Sequence, residues 1–310
     1  MTTSTVRVIV NPRAGRGIGE KELHELRGHF AALDLHAEFM LTAAPGHATE
    51  LARIARDVKA EVLAVVGGDG TMNEVVQAYI DADGHPIPGP ALAVLPAGTG
   101  GDFRRTIGLS KNLDEAIGRI RYGADHATDL GVMRFVGDDG RPRIRAFLNI
   151  ASFGLGGFVD RLVNASGKRL GGGVTFYVAT VRALAQYRNQ PVRISVDGEP
   201  FFEGRLVNGA VCNGRYFGGG MCIAPMADPG DGRLEIVVMG DFSVPEIVAF
   251  TTKIYQGAHL GNHRMHVAHG LRVEAEPLTS EPVLIDCDGE APGRLPASFE
   301  LHPGALRLRH

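Results

Sequence analysis

The residues whose types and spacing point most clearly to chemistry form a glycine-rich turn after an apolar run. Val62–Val66 are five consecutive apolar residues, the pattern of a strand that is buried on both faces. The residues that follow are Gly67, Gly68, Asp69, Gly70, Thr71, Met72 and Asn73. We expect Thr71 to cap a helix that begins near Met72. A strand, a glycine turn and a helix N-terminus present main-chain N–H groups to an anion, so the segment predicts a nucleotide-phosphate site.

Asp69 lies at the centre of this turn. A carboxylate beside a phosphate is explained if a divalent metal ion, or water bound to such an ion, lies between the two groups. The sequence therefore predicts that Asp69 helps to place Mg²⁺. The alternative interpretation is a structural turn of the kind that joins strands to helices in many α/β proteins.

Two further loops follow predicted strands and could contact the same ligand. The first is Asn11-Pro12-Arg13-Ala14-Gly15, and the second runs from Leu95 to Arg105 and contains Thr99. A Walker A sequence is absent, and the glycine turn contains no lysine, so arginine is the candidate partner for phosphate charge. Arg13, Arg16, Arg104 and Arg105 are the candidates. An ordinary loop is the alternative for each segment.

Two groups of carboxylates lie in the second half of the chain. Asp228 and Asp231 are three residues apart in a tight turn, which could offer oxygen ligands to Mg²⁺ or Ca²⁺. Asp286, Asp288 and Glu290 end a predicted strand, and a carboxylate there could accept the proton of an acceptor hydroxyl. A solvated turn and a plain hairpin are the structural alternatives. The predicted strand containing His263, His266 and His269 does not place all three on one face, so no metal site is expected there.

The order of predicted elements changes along the chain. Strands and helices alternate first, at Val6–Val10, Lys21–Leu33, His36–Leu41, His47–Val58, Val62–Val66, Ala91–Leu95 and Asn112–Arg121. Strands then dominate, at Ala127–Arg134, Ile144–Ser152, Val192–Val196, Phe201–Cys212, Leu234–Met239, His263–Ala275, Val283–Asp286 and Ala297–Leu301, with helices near Gly157–Asn164, Val174–Tyr187 and Pro245–Ile254. Asp-Gly pairs mark turns between strands, at residues 139, 197, 231 and 288.

This order predicts an α/β nucleotide-binding domain with a mostly parallel sheet, followed by an antiparallel β-rich sandwich domain. We place the first domain at residues 1–124 and the second at residues 125–310. Whether the last residues return to pack on the first domain is left open.

Composition excludes several classes of protein. The 310 residues carry a net charge of −3, so no overall positive field would attract nucleic acid. Three cysteines without a C-x-x-C pair argue against a disulfide framework and a zinc site, and they fit a reducing compartment. Neither a signal peptide nor an apolar run long enough to span a bilayer is visible. We expect a cytoplasmic protein whose contact with membranes is peripheral and transient.

Taken together, the motifs resemble the diacylglycerol kinase catalytic-domain family, which includes bacterial soluble lipid kinases and sphingosine and ceramide kinases and is related to NAD kinases. The matching strings are N-P-R-A-G at 11–15, G-G-D-G-T-M-N-E-V at 67–75, P-A-G-T-G-G-D-F-R-R at 96–105, N-G-R-Y-F-G-G-G-M-C-I-A-P at 213–225, D-P-G-D-G-R-L at 228–234 and D-G-E at 288–290. They occur in family order. Relatives usually have Asn where this chain has Gly101, so the role of Asp102 is left open.

The resemblance implies transfer of the γ-phosphoryl group of ATP to a lipid hydroxyl, with Mg²⁺ as the metal ion. It implies ATP-binding residues at Asn11, Pro12, Arg13, Ala14, Gly15, Thr42, Gly67, Gly68, Asp69, Gly70, Thr71, Met72, Asn73 and Thr99. It implies that Asp228, Asp231 and the carbonyl of Arg233 hold a structural Mg²⁺. Glu290 matches the proton acceptor, with Asp288 beside it.

Two rival functions stay open at this stage. One is an NAD kinase, although no N-E dipeptide follows the first domain as that family usually requires. The other is a nucleotide- or lipid-binding regulator without catalytic activity, against which the retained carboxylates argue. The identity of the acceptor lipid, the formation of a homodimer and the division of roles between Asp288 and Glu290 are left open.

Overall fold

The computed structural model describes residues 6–15, 17–97, 101–166 and 186–310. The chain divides into two compact units. Unit 1 comprises Met1–Leu130, Pro229–Asp231 and His302–His310, and unit 2 comprises Gly131–Asp228 and Gly232–Leu301. The prediction of two domains that meet at residue 124 stays a prediction.

Unit 1 alternates strands and helices. In chain order these are β1 (Val6–Val10), α1 (Glu20–Ala32), β2 (Ala37–Leu41), α2 (His47–Asp57), β3 (Val62–Gly67), α3 (Asp69–Val76), β4 (Ala91–Pro96), α4 (Asp102–Thr106) and α5 (Leu113–Tyr122). A short 3₁₀ helix, Gln77–Tyr79, extends α3. The sequence analysis predicted neither this 3₁₀ helix nor the short helix α4.

The sheet of unit 1 is parallel, with the strand order β2-β1-β3-β4. Strands β3 and β4 consist almost entirely of buried apolar residues, as expected for strands that are covered on both faces. The helices α1 and α5 pack on one face through Leu26, Phe30 and Ile117. Because the strands are parallel, their carboxyl ends lie at one edge, and the loops that begin there are neighbours.

Unit 2 is built mainly from strands. The remaining elements are β5 (Asp125–Gly137), β6 (Pro142–Phe147), β7 (Ile150–Gly154), α6 (Leu155–Ser166), β8 (Gln190–Val196), β9 (Glu199–Leu206), β10 (Asn208–Cys212), β11 (Tyr216–Phe217), β12 (Met221–Cys222), β13 (Leu234–Met239), α7 (Val244–Tyr255), β14 (Met265–Gly270), β15 (Arg272–Pro277), β16 (Leu284–Cys287) and β17 (Glu290–Arg309). The first residues of β5 and the last of β17 belong to unit 1.

The strands of unit 2 pair in antiparallel fashion. One path runs β14-β13-β10-β7-β16-β17, and a second connects β17 to β15, β8 and β9. Alternate side chains from both paths fill one apolar core, in which the rings of Phe153 and Phe299 stack with centroids 6.1 Å apart. A second core lies under α7, which buries Ile247 and Ile254. The predicted fold class, a mostly parallel α/β part followed by a β-rich part, is confirmed.

Three segments that were predicted as single strands are each two strands. The segment Ile144–Ser152 breaks after Phe147, Phe201–Cys212 breaks at Val207, and His263–Ala275 breaks at Leu271. In each case a long-range hydrogen bond holds the break. The Asp288 carboxylate accepts the N–H of Leu148, the Met239 carbonyl accepts that of Val207, and the Asp197 carboxylate accepts that of Leu271.

Several other predictions can be compared with the described residues. The Asp-Gly pairs at 139, 197 and 288 lie in the turns that join β5 to β6, β8 to β9 and β16 to β17, as predicted. Most of the helix predicted at Val174–Tyr187 lies outside the described residues. Across the described ranges, we find no helix with the length and apolar character needed to cross a bilayer.

Candidate active site

The glycine turn of unit 1 connects β3 to α3. The helix begins at Asp69 rather than near Met72, because the N–H groups of Thr71 and Met72 already donate to the Gly68 carbonyl, at 3.0 and 3.1 Å. Thr71 therefore lies in the first turn of the helix and does not cap it, which corrects the prediction. By helix geometry the first N–H groups of α3 have no acceptor within the helix, as an anion site requires.

The Thr71 side chain instead connects two loops. Its buried hydroxyl accepts a hydrogen bond from Asn11 Nδ2 at 2.9 Å, and Asn11 Oδ1 accepts the N–H of Arg13 at 2.9 Å. A Cβ atom on Gly67 would lie 2.5 Å from the Cβ of Thr71, so this close approach requires glycine. The loop after β1 and the glycine turn are thus brought together, as the sequence analysis expected of a shared ligand site.

Asp69 connects the glycine turn to the loop after β4. Its carboxylate accepts the N–H groups of Gly101, Asp102 and Phe103 at 3.0, 3.1 and 3.4 Å. These are the first amides of α4, where the helix dipole favours a negative charge. The carboxylate is therefore a structural connection between two loops, and its part in placing Mg²⁺ stays a prediction.

The two arginines of the loop after β4 have protein partners. Arg105 forms an ion pair with Asp102, and the guanidinium of Arg104 donates to the Leu109 carbonyl while its side chain is buried. Arg105 is therefore already paired with an acid, which makes it a weaker candidate for binding a phosphate group. Arg104 also lines a pocket at this edge of the sheet.

This pocket has a volume of about 230 Å³ and lies at the carboxyl ends of β3 and β4. Its lining comprises Gly67, Gly68, Asp69, Met72, Val94, Pro96, Ala97, Gly101, Phe103, Arg104 and Lys111. The sequence analysis did not single out Phe103 or Lys111. Lys111 supplies the exposed positive charge that the glycine turn lacks. Its position just ahead of α5, far from the glycine turn in the sequence, gave no local signal.

The other predicted ATP-binding residues differ in accessibility. Thr42 follows β2 and donates its N–H to the Val10 carbonyl at 2.9 Å, which places it at the same edge of the sheet. Asn73 is fully buried, whereas the residues Asn11–Gly15 are partly or fully exposed. Thr99 lies outside the described residues.

In unit 2, the string D-G-E forms the turn between β16 and β17. Asp288 and Gly289 have φ angles of 50° and 87°, the conformation of a tight two-residue hairpin turn. The Asp288 carboxylate accepts three backbone N–H groups, from Leu148 at 2.9 Å, Asn149 at 3.1 Å and Ile150 at 2.9 Å. Glu290 is exposed. Of the two candidate proton acceptors, Glu290 thus has the accessible carboxylate.

Asp286 is a buried carboxyl group one residue before the end of β16. Its oxygens accept the Ser152 hydroxyl at 3.1 Å and the Gly289 N–H at 2.7 Å. It also forms a side-chain hydrogen bond with Asp160 of α6. Burial, together with the neighbouring Asp160, raises the pKa of Asp286 well above its usual range, and burial also raises the pKa of Asp160. The sequence analysis missed Asp160, because its partner is distant in the sequence.

The predicted metal ligands Asp228, Asp231 and Arg233 are all exposed. Two residues before Asp231 in the chain, the Pro229 carbonyl accepts the N–H of Asp129 at 2.7 Å, and the buried Asp129 carboxylate accepts the N–H of Gly304 at 2.7 Å. Asp129 is a further acid that sequence reasoning did not single out. Among the described residues, one exposed group of three side chains, Asp81, Asp83 and His85, has ligand atoms within 4.8 Å of one another.

Comparisons with known proteins agree with this architecture. Residues 5–133 match the family model of the diacylglycerol kinase catalytic domain, and residues 149–310 match that of the YegS C-terminal NAD kinase beta sandwich-like domain. Diacylglycerol kinase of Bacillus subtilis (strain 168) is 29% identical over 296 residues, which cover 94% of this chain and 92% of the relative. A probable YegS-like lipid kinase of Stenotrophomonas maltophilia (strain K279a) is 28% identical over 310 residues, with 99% and 96% covered.

Solved structures extend the comparison. A candidate diacylglycerol kinase from Bacillus anthracis has a TM-score of 0.78 at 28% identity, with 100% of this chain and 98% of that chain covered. A yeast NADH kinase complexed with NADH has a TM-score of 0.52 at 10% identity, covering 99% of this chain and 79% of that one, and shares the fold alone. Both parts of the chain, in their expected order, therefore place it in the diacylglycerol kinase catalytic-domain family of lipid kinases.

Proposed function

We propose that this protein transfers the γ-phosphoryl group of ATP to a hydroxyl group of a lipid such as diacylglycerol, in a reaction that requires Mg²⁺. The observation that carries the proposal is the pocket at the carboxyl ends of β3 and β4, which is lined by the glycine turn and by two cationic side chains, Arg104 and Lys111. Main-chain N–H groups at a helix N-terminus and nearby cations are the donors that phosphate groups favour.

The nucleotide side of the reaction belongs to unit 1. We infer that ATP contacts Asn11–Gly15, Thr42, Gly67–Asn73 and Thr99, with its phosphates at the start of α3. The hydrogen bonds from Asn11 to Thr71 and from the α4 amides to Asp69 support this inference, because they hold three loops of one sheet edge in fixed relation. Such fixed donors stabilise transferring phosphoryl groups without reorganisation during the reaction.

We assign Mg²⁺ to Asp228, Asp231 and the Arg233 carbonyl. The donor set fits, because carboxylate and carbonyl oxygens are the ligands that this hard cation prefers, and both carboxylates are exposed. When bound, Mg²⁺ would supply positive charge that offsets the negative charge of the phosphate groups. Asp69 fits less directly, because its oxygens already accept amide N–H groups.

We infer that Glu290 accepts the proton of the lipid hydroxyl. The accessibility of the Glu290 carboxylate supports this inference. Glu290 is exposed at the first position of β17, whereas the Asp288 carboxylate is engaged by three backbone N–H groups. Positioning and electrostatic stabilisation then supply most of the rate, as in other phosphoryl transfers. The names of the relatives, diacylglycerol kinase and probable lipid kinase, support a lipid acceptor.

The test is a single-turnover assay with γ-labelled ATP, Mg²⁺ and mixed micelles that contain diacylglycerol. We expect labelled lipid from the wild-type protein, and loss of the label on chelation of Mg²⁺ or in Glu290→Gln. Calorimetric titration with ATP runs in parallel. Binding of ATP without transfer to any of a panel of lipids would favour the regulator, and transfer to NAD would favour the NAD kinase.

A further inference from the structure

Two acidic side chains of unit 2 meet inside the protein, near enough to the exposed Glu290 for its charge to act on one of them. Asp160 lies in the second turn of α6, and Asp286 lies on β16, and a side-chain hydrogen bond joins their carboxyl groups. The two elements are in close contact. A Cβ atom on Gly157 of α6 would lie 2.5 Å from the backbone of Leu284, so glycine permits this approach. The pairing of the two acids is therefore built into the packing of α6 on β16.

Asp286 also holds the turn that precedes Glu290. One oxygen accepts the N–H of Gly289 at 2.7 Å, and the other accepts the hydroxyl of the fully buried Ser152 at 3.1 Å. Gly289 is the residue immediately before Glu290. The position of the Asp286 carboxyl group is thus transmitted to Glu290 through a single backbone hydrogen bond.

The surroundings of the pair disfavour two negative charges. Asp286 is 5% exposed, and the other charged side chains that act on the pair are acids, Glu290 on Asp160 and Asp288 on Asp286, whereas the Gly289 N–H favours a single negative charge on Asp286. Arg161, the next residue on α6, is engaged by Asp138 at 2.7 Å. Two adjacent carboxyl groups in such a site cannot both ionise readily, because the second negative charge would be buried beside the first.

We propose that Asp160 and Asp286 share one proton, and that this hydrogen-bonded acid pair positions Glu290 for proton transfer. Both are positioning residues, because they act through the Gly289 turn and not on the substrate. The proposal rests on the proposed function of Glu290 and adds to it a reason why the turn keeps one geometry. It also predicts a dependence on pH, because loss of the shared proton would leave two buried charges in contact.

The sign of the pH dependence follows from the direction in which the pKa values of the two acids are shifted. Burial raises the pKa of both carboxyl groups in the folded protein; the neighbouring Asp160 adds to the rise for Asp286, and the charge of Glu290 adds to the rise for Asp160. The stability that the protonated pair contributes is complete below the unfolded pKa, about 4 for Asp. It is lost as the pH rises through the folded pKa. We therefore expect stability, and the turnover that depends on the turn, to decline together on the alkaline side.

The test compares Asp160→Asn, Asp160→Ala and the control Glu199→Gln, an exposed site in unit 2. Asn can donate a hydrogen bond to the Asp286 carboxylate and thus imitates the protonated acid, whereas Ala cannot. We expect Asp160→Asn to keep kcat within about threefold at pH 6 and to lose the alkaline decline. Asp160→Ala should lower kcat by roughly 10–100-fold with KM for ATP unchanged, because a small misplacement of a reacting group has effects of this size.

Equal losses of kcat in Asp160→Asn and Asp160→Ala would overturn the proposal, and so would an unchanged alkaline decline in Asp160→Asn. Urea denaturation at pH 5 to 9 keeps the proton sharing testable if no lipid is phosphorylated. The wild-type midpoint should then fall with rising pH more steeply than that of Asp160→Asn, while Glu199→Gln follows the wild type. Parallel curves for wild type and Asp160→Asn would contradict the shared proton, whatever the activity.

Discussion

The carboxylates of Asp69 in unit 1 and Asp286 in unit 2 occupy comparable places but have opposite surroundings. Each lies near the carboxyl end of a strand and holds a turn. Asp69 accepts three backbone N–H groups, which suit a negative charge, whereas Asp286 meets a second acid and has a raised pKa. The comparison suggests a division of labour. Under the function proposed above, the loops of unit 1 would offer N–H donors and cations to phosphate, and the hairpin of unit 2 would offer a carboxylate that accepts the proton.

The largest expected effect concerns the unit 2 hairpin. We expect Glu290→Gln to lower kcat by about 10²–10⁴-fold, the usual contribution of a positioned proton acceptor, with the affinity for ATP unchanged. Single-turnover transfer from labelled ATP measures the rate. Glu199→Gln, an exposed glutamate in the same unit, is the control and should behave as the wild type. A wild-type transfer rate in Glu290→Gln would contradict the proposed role of unit 2 in accepting the proton.

The glycine turn of unit 1 offers a matched pair of substitutions. A Cβ atom on Gly67 would meet Thr71, whereas one on Gly68 has no atom within 4 Å. We expect Gly67→Ala to lower the free energy of unfolding by about 1–3 kcal/mol, the cost of overpacking. Gly68→Ala should keep the wild-type stability and weaken ATP binding, because its methyl group enters the proposed phosphate site.

Urea denaturation and calorimetric titration with ATP measure the two effects. Equal stability of both alanine variants would contradict the contact between Gly67 and Thr71. Full ATP affinity in Gly68→Ala would contradict a phosphate at this turn.

Variants of Asp288 distinguish the two candidate proton acceptors of the hairpin, Asp288 and Glu290. In Asp288→Ala the amides of Leu148, Asn149 and Ile150 lose their acceptor, so we expect a loss of about 1–3 kcal/mol in the free energy of unfolding. Asp288→Asn retains one acceptor oxygen and tolerates the positive φ of this turn, so its loss should be smaller. If Asp288 accepted the proton instead, Asp288→Asn would lower kcat as far as Glu290→Gln does while remaining stable.

Lys111 is expected to give the smallest effect. Its ammonium group is exposed, so Lys111→Met should raise KM for ATP by roughly 1.5–5-fold, the range for exposed charge pairs. The increase should shrink at high ionic strength, which screens exposed charges. Lys21→Met, an exposed lysine on α1, serves as the control. A KM for Lys111→Met that matches the control at low salt would exclude Lys111 from the nucleotide site.

Local sequence patterns predicted most of the fold of unit 1. Strands β3 and β4 are uninterrupted apolar runs, β1 is apolar at every position except Arg7, and α2 carries its apolar residues at helical spacing. The predicted bounds of these four elements therefore agree with the structure within about two residues. In unit 2 the pairs Asp197-Gly198 and Asp288-Gly289 predicted their turns equally well. Their φ angles above zero are the reason that these residue types occur there.

The sequence analysis failed where distant contacts determine the structure. The carboxylates of Asp197 and Asp288 break apparent strands 74 and 140 residues away in the chain, at Leu271 and Leu148. The same explanation applies to the candidate site. Lys111 and Asp160 gave no signal, because each acts only with residues that the fold brings near it.

The division of labour between the two units is tested most directly by titrating ATP into Asp69→Ala and Glu290→Gln, in the presence of Mg²⁺, beside the transfer assay. Asp69→Ala removes the connection to α4, and a cap of this kind contributes about 1 kcal/mol or more, so ATP affinity should fall about tenfold. Glu290→Gln should bind ATP as tightly as the wild type and transfer almost no phosphate. Full ATP affinity in Asp69→Ala, or weakened ATP binding in Glu290→Gln, would contradict the account.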